Sequence, residues 1–129
     1  MSTRTQTLLS TLWIFIILNM FARDFHELGR PGMLEQVMAG VVEGVTITPG
    51  LMLPGGIMWE IFLVMVALSQ VLKYRINRCV NMIVGLIAIA IIVMTNRSPD
   101  LDNIFFMIIE IIALVAIIGI AWRWKIETA

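Results

Sequence analysis

Two glutamates, Glu60 and Glu110, each stand within an apolar stretch of about 20 residues, the length that crosses a bilayer as a helix. A carboxylate at that depth is costly, so it faces a bundle interior, carries a proton or serves a function. If both carboxyls share one pocket, they should not both be ionised, because like charges repel at close range. Such a pair can carry a proton, bind a cation or hydrogen-bond a polar ligand.

The composition around these glutamates is that of an integral membrane protein. Hydrophobic residues make up 60% of the 129 residues and charged residues 14%, and the mean hydropathy is +0.95. A soluble domain is roughly half apolar and a quarter charged. The formal net charge is zero, which argues against a nucleic-acid partner. Cys79 is the only cysteine, so an internal disulfide is excluded and the redox compartment is left open.

The apolar runs predict four membrane-spanning helices in a single domain, residues 1–129. The predicted spans cover about residues 5–22, 51–72, 79–95 and 103–124. Short connections after the second and third spans force antiparallel neighbours, so we predict an all-α membrane protein with an antiparallel four-helix bundle. The first run resembles a signal peptide, but no small-residue cleavage site precedes Arg23, and a retained helix is expected.

The connection between the first and second spans is long for so small a protein. Apolar residues recur at helical spacing from Leu34 to Val45, with polar and small residues on the other face. This pattern predicts an amphipathic helix over about residues 34–45, on the outer surface or capping the bundle. A loop without regular structure is the alternative, because two glycines interrupt the segment.

The distribution of cations predicts the orientation. Six lie on the side of the two termini: Arg4, Lys73, Arg75, Arg78, Arg123 and Lys125. Three lie on the opposite side: Arg23, Arg30 and Arg97. By the positive-inside rule, both termini are expected in the cytoplasm. We therefore predict a multi-pass protein of a bacterial-type inner (cytoplasmic) membrane.

Small and polar residues at three- to four-residue spacing predict the inward face of each span, because such residues mark helix contacts in membranes. In chain order the four stripes are Leu12, Ile16, Asn19, Arg23 and His26; Gly56, Glu60, Ala67, Gln70 and Tyr74; Asn81, Gly85, Ala88, Ile92 and Thr95; and Glu110, Ala113, Ile117, Ala121 and Trp124. These faces would gather a polar, ligand-binding pocket in the outer half of the bundle, formed by Asn19, Glu60, Thr95 and Glu110, with Arg23, Asp24 and His26 at its mouth.

Two less specific interpretations apply to the same residues. Protonated glutamates could simply hydrogen-bond Asn19, each other or the backbone, a structural role of modest energy. Asp24, His26 and Glu27 could suggest a metal site, but the single histidine and the single cysteine fall on opposite sides of the membrane. No metal site is therefore predicted, and this cluster is interpreted as a self-paired helix end.

Short pieces spread over most of the chain carry a family resemblance. They are Leu12-Trp13 with Asn19 and Asp24, Glu60, the run from Leu72 to Arg78 with Asn81, Ile109-Glu110-Ile111, and Ala121-Trp122. In these pieces the chain resembles a family of small bacterial four-pass membrane proteins of unknown function, DoxX-like in general appearance. The resemblance implies a four-helix bundle and points to the same two glutamates. It implies no activity and no cofactor.

The predicted pocket favours a small ligand, proton or cation as its occupant, in a transporter, channel-like protein or carrier. Four spans enclose little volume, so the expected partners, besides the lipid bilayer, are further copies of the chain or other membrane proteins. One alternative is an accessory or assembly subunit of a larger membrane complex. A second is a membrane enzyme that uses the two carboxyls as acid and base on a lipophilic substrate. Because no other catalytic group is evident, the enzyme is the less favoured of these hypotheses.

Overall fold

The computed structural model describes residues 2–95 and 100–125, which form four long helices, one short helix and a hairpin. In chain order these are α1 (Ser2–Leu28), α2 (Met33–Ala39), β1 (Val41–Val42), β2 (Val45–Thr46), α3 (Pro49–Val71), α4 (Tyr74–Thr95) and α5 (Leu101–Arg123). By length and composition, α1, α3, α4 and α5 can each cross a membrane. The predicted four-span, all-α fold is confirmed. Arg97, counted above among the outer cations, lies outside the described residues.

The long helices pack as antiparallel neighbours. Helix α1 packs against α3 and α5, and α5 also packs against α4, whereas α3 and α4 contact each other only sparsely. Three polar contacts fix the directions: Ser10 Oγ to Val66 O (2.8 Å), His26 Nε2 to Asp102 Oδ2 (3.1 Å) and Arg78 Nε to Ala121 O (2.8 Å). We call the side where α1 begins and α5 ends the terminal side, and the opposite side the loop side.

The buried faces agree with the predicted stripes on α4 and α5 and differ on α3. All five residues of the fourth predicted stripe are buried, four of them on α5 and Trp124 directly after it, and so are the predicted positions of α4 except Thr95. On α3 the buried residues are Phe62, Met65 and Ser69, while the predicted inward residue Glu60 is exposed. Most residues on every side of α3 are apolar, and its few polar residues lie on two different stripes. Because lipid is as apolar as a protein core, hydrophobicity does not select the inward face of this helix.

A buried polar network joins α1, α3 and α4 in the terminal half. Nε1 of Trp13 donates to Oδ1 of Asn81 at 2.8 Å, and Ser69 Oγ donates to the same oxygen at 3.3 Å. Nδ2 of Asn81 donates to Asn77 Oδ1 at 2.6 Å, and Nδ2 of Asn77 donates to Ser69 O at 2.8 Å. These four side chains are fully buried. Every polar atom of the network is thus paired away from lipid, which stabilises this end of the bundle.

The connection between α1 and α3 does not form the amphipathic helix that was predicted over residues 34–45. Helix α2 ends at Ala39, because Gly40 takes φ +80° and closes the helix with a left-handed cap. The chain then forms an antiparallel hairpin in which Val42 pairs with Val45. Its two turn residues, Glu43 and Gly44, have φ of 51° and 81°, as a type I′ turn requires.

The residues at the start of α3 explain where this helix begins after the hairpin. Thr48 Oγ1 accepts a hydrogen bond from the Leu51 amide at 3.2 Å, and Pro49 occupies the first turn. A hydroxyl cap followed by proline is a strong helix start, because proline has no amide to leave unpaired. The helix therefore begins two residues before the predicted Leu51, and Glu60 becomes the central residue of α3.

Candidate functional site

Glu110 lies at a buried ion pair between α1 and α5. Its side chain has no exposed surface. Oε1 accepts a hydrogen bond from Arg23 Nη1 at 2.9 Å, and Oε2 accepts one from Asn19 Nδ2 at 3.0 Å. Asn19 also donates to Phe106 O at 3.3 Å. The Arg23 side chain is 17% exposed. Both carboxylate oxygens are thus paired and the negative charge is compensated, which a buried charge requires.

A second ion-pair network closes the loop side above this pair. Arg30 pairs with Glu27 at 2.8 Å and with Asp100, and its guanidinium lies 3.9 Å from Glu43. His26 pairs with Asp102 at 3.1 Å. These contacts join the end of α1 and the hairpin to the start of α5. The predicted self-paired helix end is therefore paired across three segments of the chain rather than within one.

Three carboxylates of this network lie close enough to share a cation. Oxygens of Glu27, Asp100 and Asp102 are within 4.8 Å of one another. Arg30 already contributes a positive charge to two of them, and His26 contacts the third. The arrangement has the chemistry of an ion-pair network that ties the loop side together.

Glu60 occupies a different surface, a lateral groove between α3 and α4. The groove has a volume of about 610 Å³, and its other lining residues are apolar: Leu53, Gly56, Ile57, Ile61, Val64, Met65, Leu68, Val80 and Val84. Glu60 is exposed in it. Within residues 2–95 and 100–125, no cation or hydrogen-bond donor pairs with the Glu60 side chain. This carboxyl therefore differs from that of Glu110, in which both oxygens are paired.

The predicted shared pocket is accordingly wrong. Of its seven residues, Asn19, Arg23 and Glu110 come together, and Glu60 does not join them. Thr95 is exposed and its hydroxyl donates to Ile91 O of its own helix at 2.7 Å. The enzyme alternative needed both carboxyls in one pocket, so it loses its acid–base pair.

The remaining two predicted residues lie at the end of α1. Asp24 has an exposed side chain 3.9 Å from Arg23 and lines a second groove, between α1 and α3, with Trp59 and Leu63. His26 belongs to the loop-side network, where its ring also lies 5.9 Å from that of Phe106. Neither Asp24 nor His26 contacts Glu110, whereas Arg23 does.

A family model matches the whole chain, residues 1–129, and its description is "Family of unknown function (DUF6326)". The chain belongs to this family. No curated protein and no solved structure matches it. The family match confirms the resemblance to a family of unknown function, and it gives no support to the likeness to DoxX-like proteins.

The groove itself was not predicted from the sequence. Gly56 stood in the predicted stripe of α3, one turn before Glu60, but was interpreted as a contact position. A Cβ added at Gly56 would meet nothing within 4 Å, so the space beside this glycine is open.

Proposed function

We propose that this protein is a membrane carrier that binds a lipophilic cation from the bilayer in the α3–α4 groove, with Glu60 as the counter-ion. The observation that carries the proposal is the exposed Glu60 at the centre of α3, whose carboxyl has no partner among residues 2–95 and 100–125. It lies about 16 Å from either end of the helix at 1.5 Å per residue. A carboxylate near the bilayer centre is stable only when a proton or a cationic group neutralises it.

The walls of the groove favour a ligand with an apolar body. A volume of about 610 Å³ lies within the range of small-molecule sites, roughly 300–1,000 Å³. Apolar side chains surround the single acid, so the ligand needs one positive centre on an otherwise hydrophobic frame. Glu110 offers no such contact, because Arg23 already compensates its charge.

The central position of Glu60 also suits a carrier. Its carboxyl lies at comparable distances from both faces of the membrane, about 16 Å along the helix in either direction.

Binding of tetraphenylphosphonium to the protein in phosphatidylcholine nanodiscs tests the proposal, with empty nanodiscs as the blank. Glu60→Gln should weaken binding about tenfold or more, since one ionic contact of ~1.4 kcal/mol is a factor of ten. Tetraphenylborate, an anion of the same shape, should show no dependence on Glu60. Equal binding of tetraphenylphosphonium to wild type and Glu60→Gln would refute the proposal.

Two neighbouring glycines provide a matched steric control. Gly56 lines the groove and Gly55 does not, and an added Cβ meets nothing within 4 Å at either position. Gly56→Leu should block binding without altering the charge of Glu60, whereas Gly55→Leu should leave binding unchanged. If both variants behave alike, the groove is not the binding site.

An accessory-subunit role is the second candidate, and the length of the groove favours it. From Leu53 to Leu68 the groove follows α3 for about 22 Å, enough to receive a partner's membrane-spanning helix. In that case Gly56→Leu, but not Gly55→Leu, would release a co-purifying membrane protein in mild detergent. Absence of tetraphenylphosphonium binding would accompany that result.

A further inference from the structure

A cleft on the terminal side lies between the start of α1 and the last turns of α5. Its volume is about 610 Å³, and its lining residues are Thr5, Ala116, Gly119, Ile120, Arg123, Trp124 and Lys125. It is separate from the groove around Glu60, which α3 and α4 form. The deeper part is small and apolar, and the part nearest the end of α5 carries two cations.

Both cations of the cleft are available to a ligand. Arg123 and Lys125 are exposed, and neither forms an ion pair or side-chain hydrogen bond with any described residue. Cations near a helix carboxyl end often bond its last carbonyl groups. Here Arg78 donates to Ala121 O and Trp122 O, at 2.8 Å each, and Tyr74 OH donates to Trp124 O at 2.6 Å. Side chains of α4 thus cap the end of α5, and Arg123 and Lys125 have no partner within the described part of the chain.

Trp124 adds a hydrogen-bond donor that lacks an acceptor. Its side chain is 4% exposed, and its Nε1 is buried without a hydrogen-bond partner in the part of the chain that the structure describes. The ring packs edge-on against Tyr74, with centroids 5.3 Å apart. Native proteins pair almost all such groups. Trp124 lines the cleft, so an oxygen-rich ligand bound there is the candidate acceptor.

We propose that this cleft binds the phosphate of an anionic phospholipid headgroup. Arg123 and Lys125 compensate the phosphate charge, the indole N–H of Trp124 donates to a phosphate oxygen, and Thr5 offers a hydroxyl. The apolar space beside Gly119 and below it receives the first carbons of the lipid. Basic pockets at the ends of membrane helices suit such headgroups. The cleft opens where α5 leaves its apolar span, which is the depth of a lipid phosphate rather than of free solution.

Native mass spectrometry of the protein from nanodiscs that contain phosphatidylglycerol and phosphatidylcholine tests the assignment. The wild type should retain phosphatidylglycerol preferentially. The double variant Arg123→Gln/Lys125→Gln should lose this preference by on the order of tenfold. Lys73→Gln/Arg75→Gln removes two exposed terminal-side cations outside the cleft and should retain most of the preference. Equal retention in the two double variants would overturn the proposal.

Two single variants separate the cleft from general surface charge. Gly119→Leu fills the open space beside Gly119, where an added Cβ meets nothing within 4 Å, and should displace the lipid with every charge intact. Trp124→Phe replaces the indole by a smaller aromatic ring without a donor, so it should lower retention, and the cavity it leaves should also lower thermal stability in lipid-free detergent. Undiminished retention in both would refute the assigned geometry. Inorganic phosphate at millimolar concentration should not compete, and competition would show a free-anion site instead.

Discussion

The buried ion pair at Glu110 allows a sharp prediction about stability. Arg23→Gln leaves a fully buried carboxylate with only the Asn19 hydrogen bond. Removing one partner of a buried ion pair costs about 3–5 kcal/mol. Because the Arg23 side chain is 17% exposed, water compensates part of the loss, and we expect about 3 kcal/mol. Glu110→Gln should cost a similar amount, since it removes the charge that Arg23 faces.

The double variant Arg23→Gln/Glu110→Gln tests whether the two residues stabilise the fold through their mutual contact or independently. If Arg23 and Glu110 stabilise the fold through each other, the double variant loses less than the sum of the single variants. We expect a coupling free energy of about 2 kcal/mol, within the range measured for contacting residues. Reversible unfolding in mixed detergent micelles, followed by circular dichroism, gives the three free energies.

Glu60→Gln is the matched control, because it makes the same chemical change near the membrane centre without removing any described contact. Its free energy of unfolding should stay within about 0.5 kcal/mol of wild type, as for exposed positions. Equal losses from Glu60→Gln and Glu110→Gln would refute the distinction between the two carboxyls. Strictly additive losses in the Arg23 and Glu110 cycle would refute the pair itself.

Two further predictions concern packing between spans. A Cβ at Gly85 would lie 2.9 Å from Cγ1 of Ile118, so Gly85→Ala should destabilise the fold by about 1–3 kcal/mol through overpacking. Gly119→Ala, where the space is open, should be neutral or stabilising in the same micelle unfolding assay. Asn81→Leu should cost about 1–3 kcal/mol, because it leaves the buried indole N–H of Trp13 unpaired. Pairing it with Trp13→Phe should recover part of that loss, and full additivity of the two changes would contradict the network.

The buried face of a helix was predicted correctly where small and polar residues form a single stripe along it. On α5 the small residues Ala113 and Ala121 follow Glu110 at helical spacing, and that face is buried. On α4 the asparagines and Gly85 identify the buried face in the same way. A polar or small stripe on an otherwise apolar helix is informative, because it is the only side that gains from helix contact.

Helix α3 shows where this reasoning fails. Two different stripes on it contain polar residues, one with Glu60 and Gln70 and the other with Ser69. The second faces the core because Ser69 donates to Asn81 and Phe62 packs on Trp13, with ring centroids 5.6 Å apart. Both contacts join residues far apart in the sequence, so no local pattern could rank the two stripes.

The prediction of an amphipathic helix over residues 34–45 was wrong for a more local reason. Its apolar spacing was compatible with a helix through Val45, but Gly40 and Gly44 take positive φ values, which end a helix and permit a tight hairpin turn. Glycine allows such angles without requiring them. The sequence therefore admitted both outcomes, and the hairpin pairing of Val42 with Val45 selected one.

Apolar run length and short connections are local properties, and they were sufficient to predict four spans in alternating directions. The partner of each acid is a long-range property. Glu110 meets Arg23 and Asn19 across 87 and 91 positions of sequence, and Glu60 faces outward because α3 and α4 diverge around a groove. Lipid and protein core are equally apolar, so burial of hydrophobic surface cannot choose between these orientations, and specific contacts between helices choose instead.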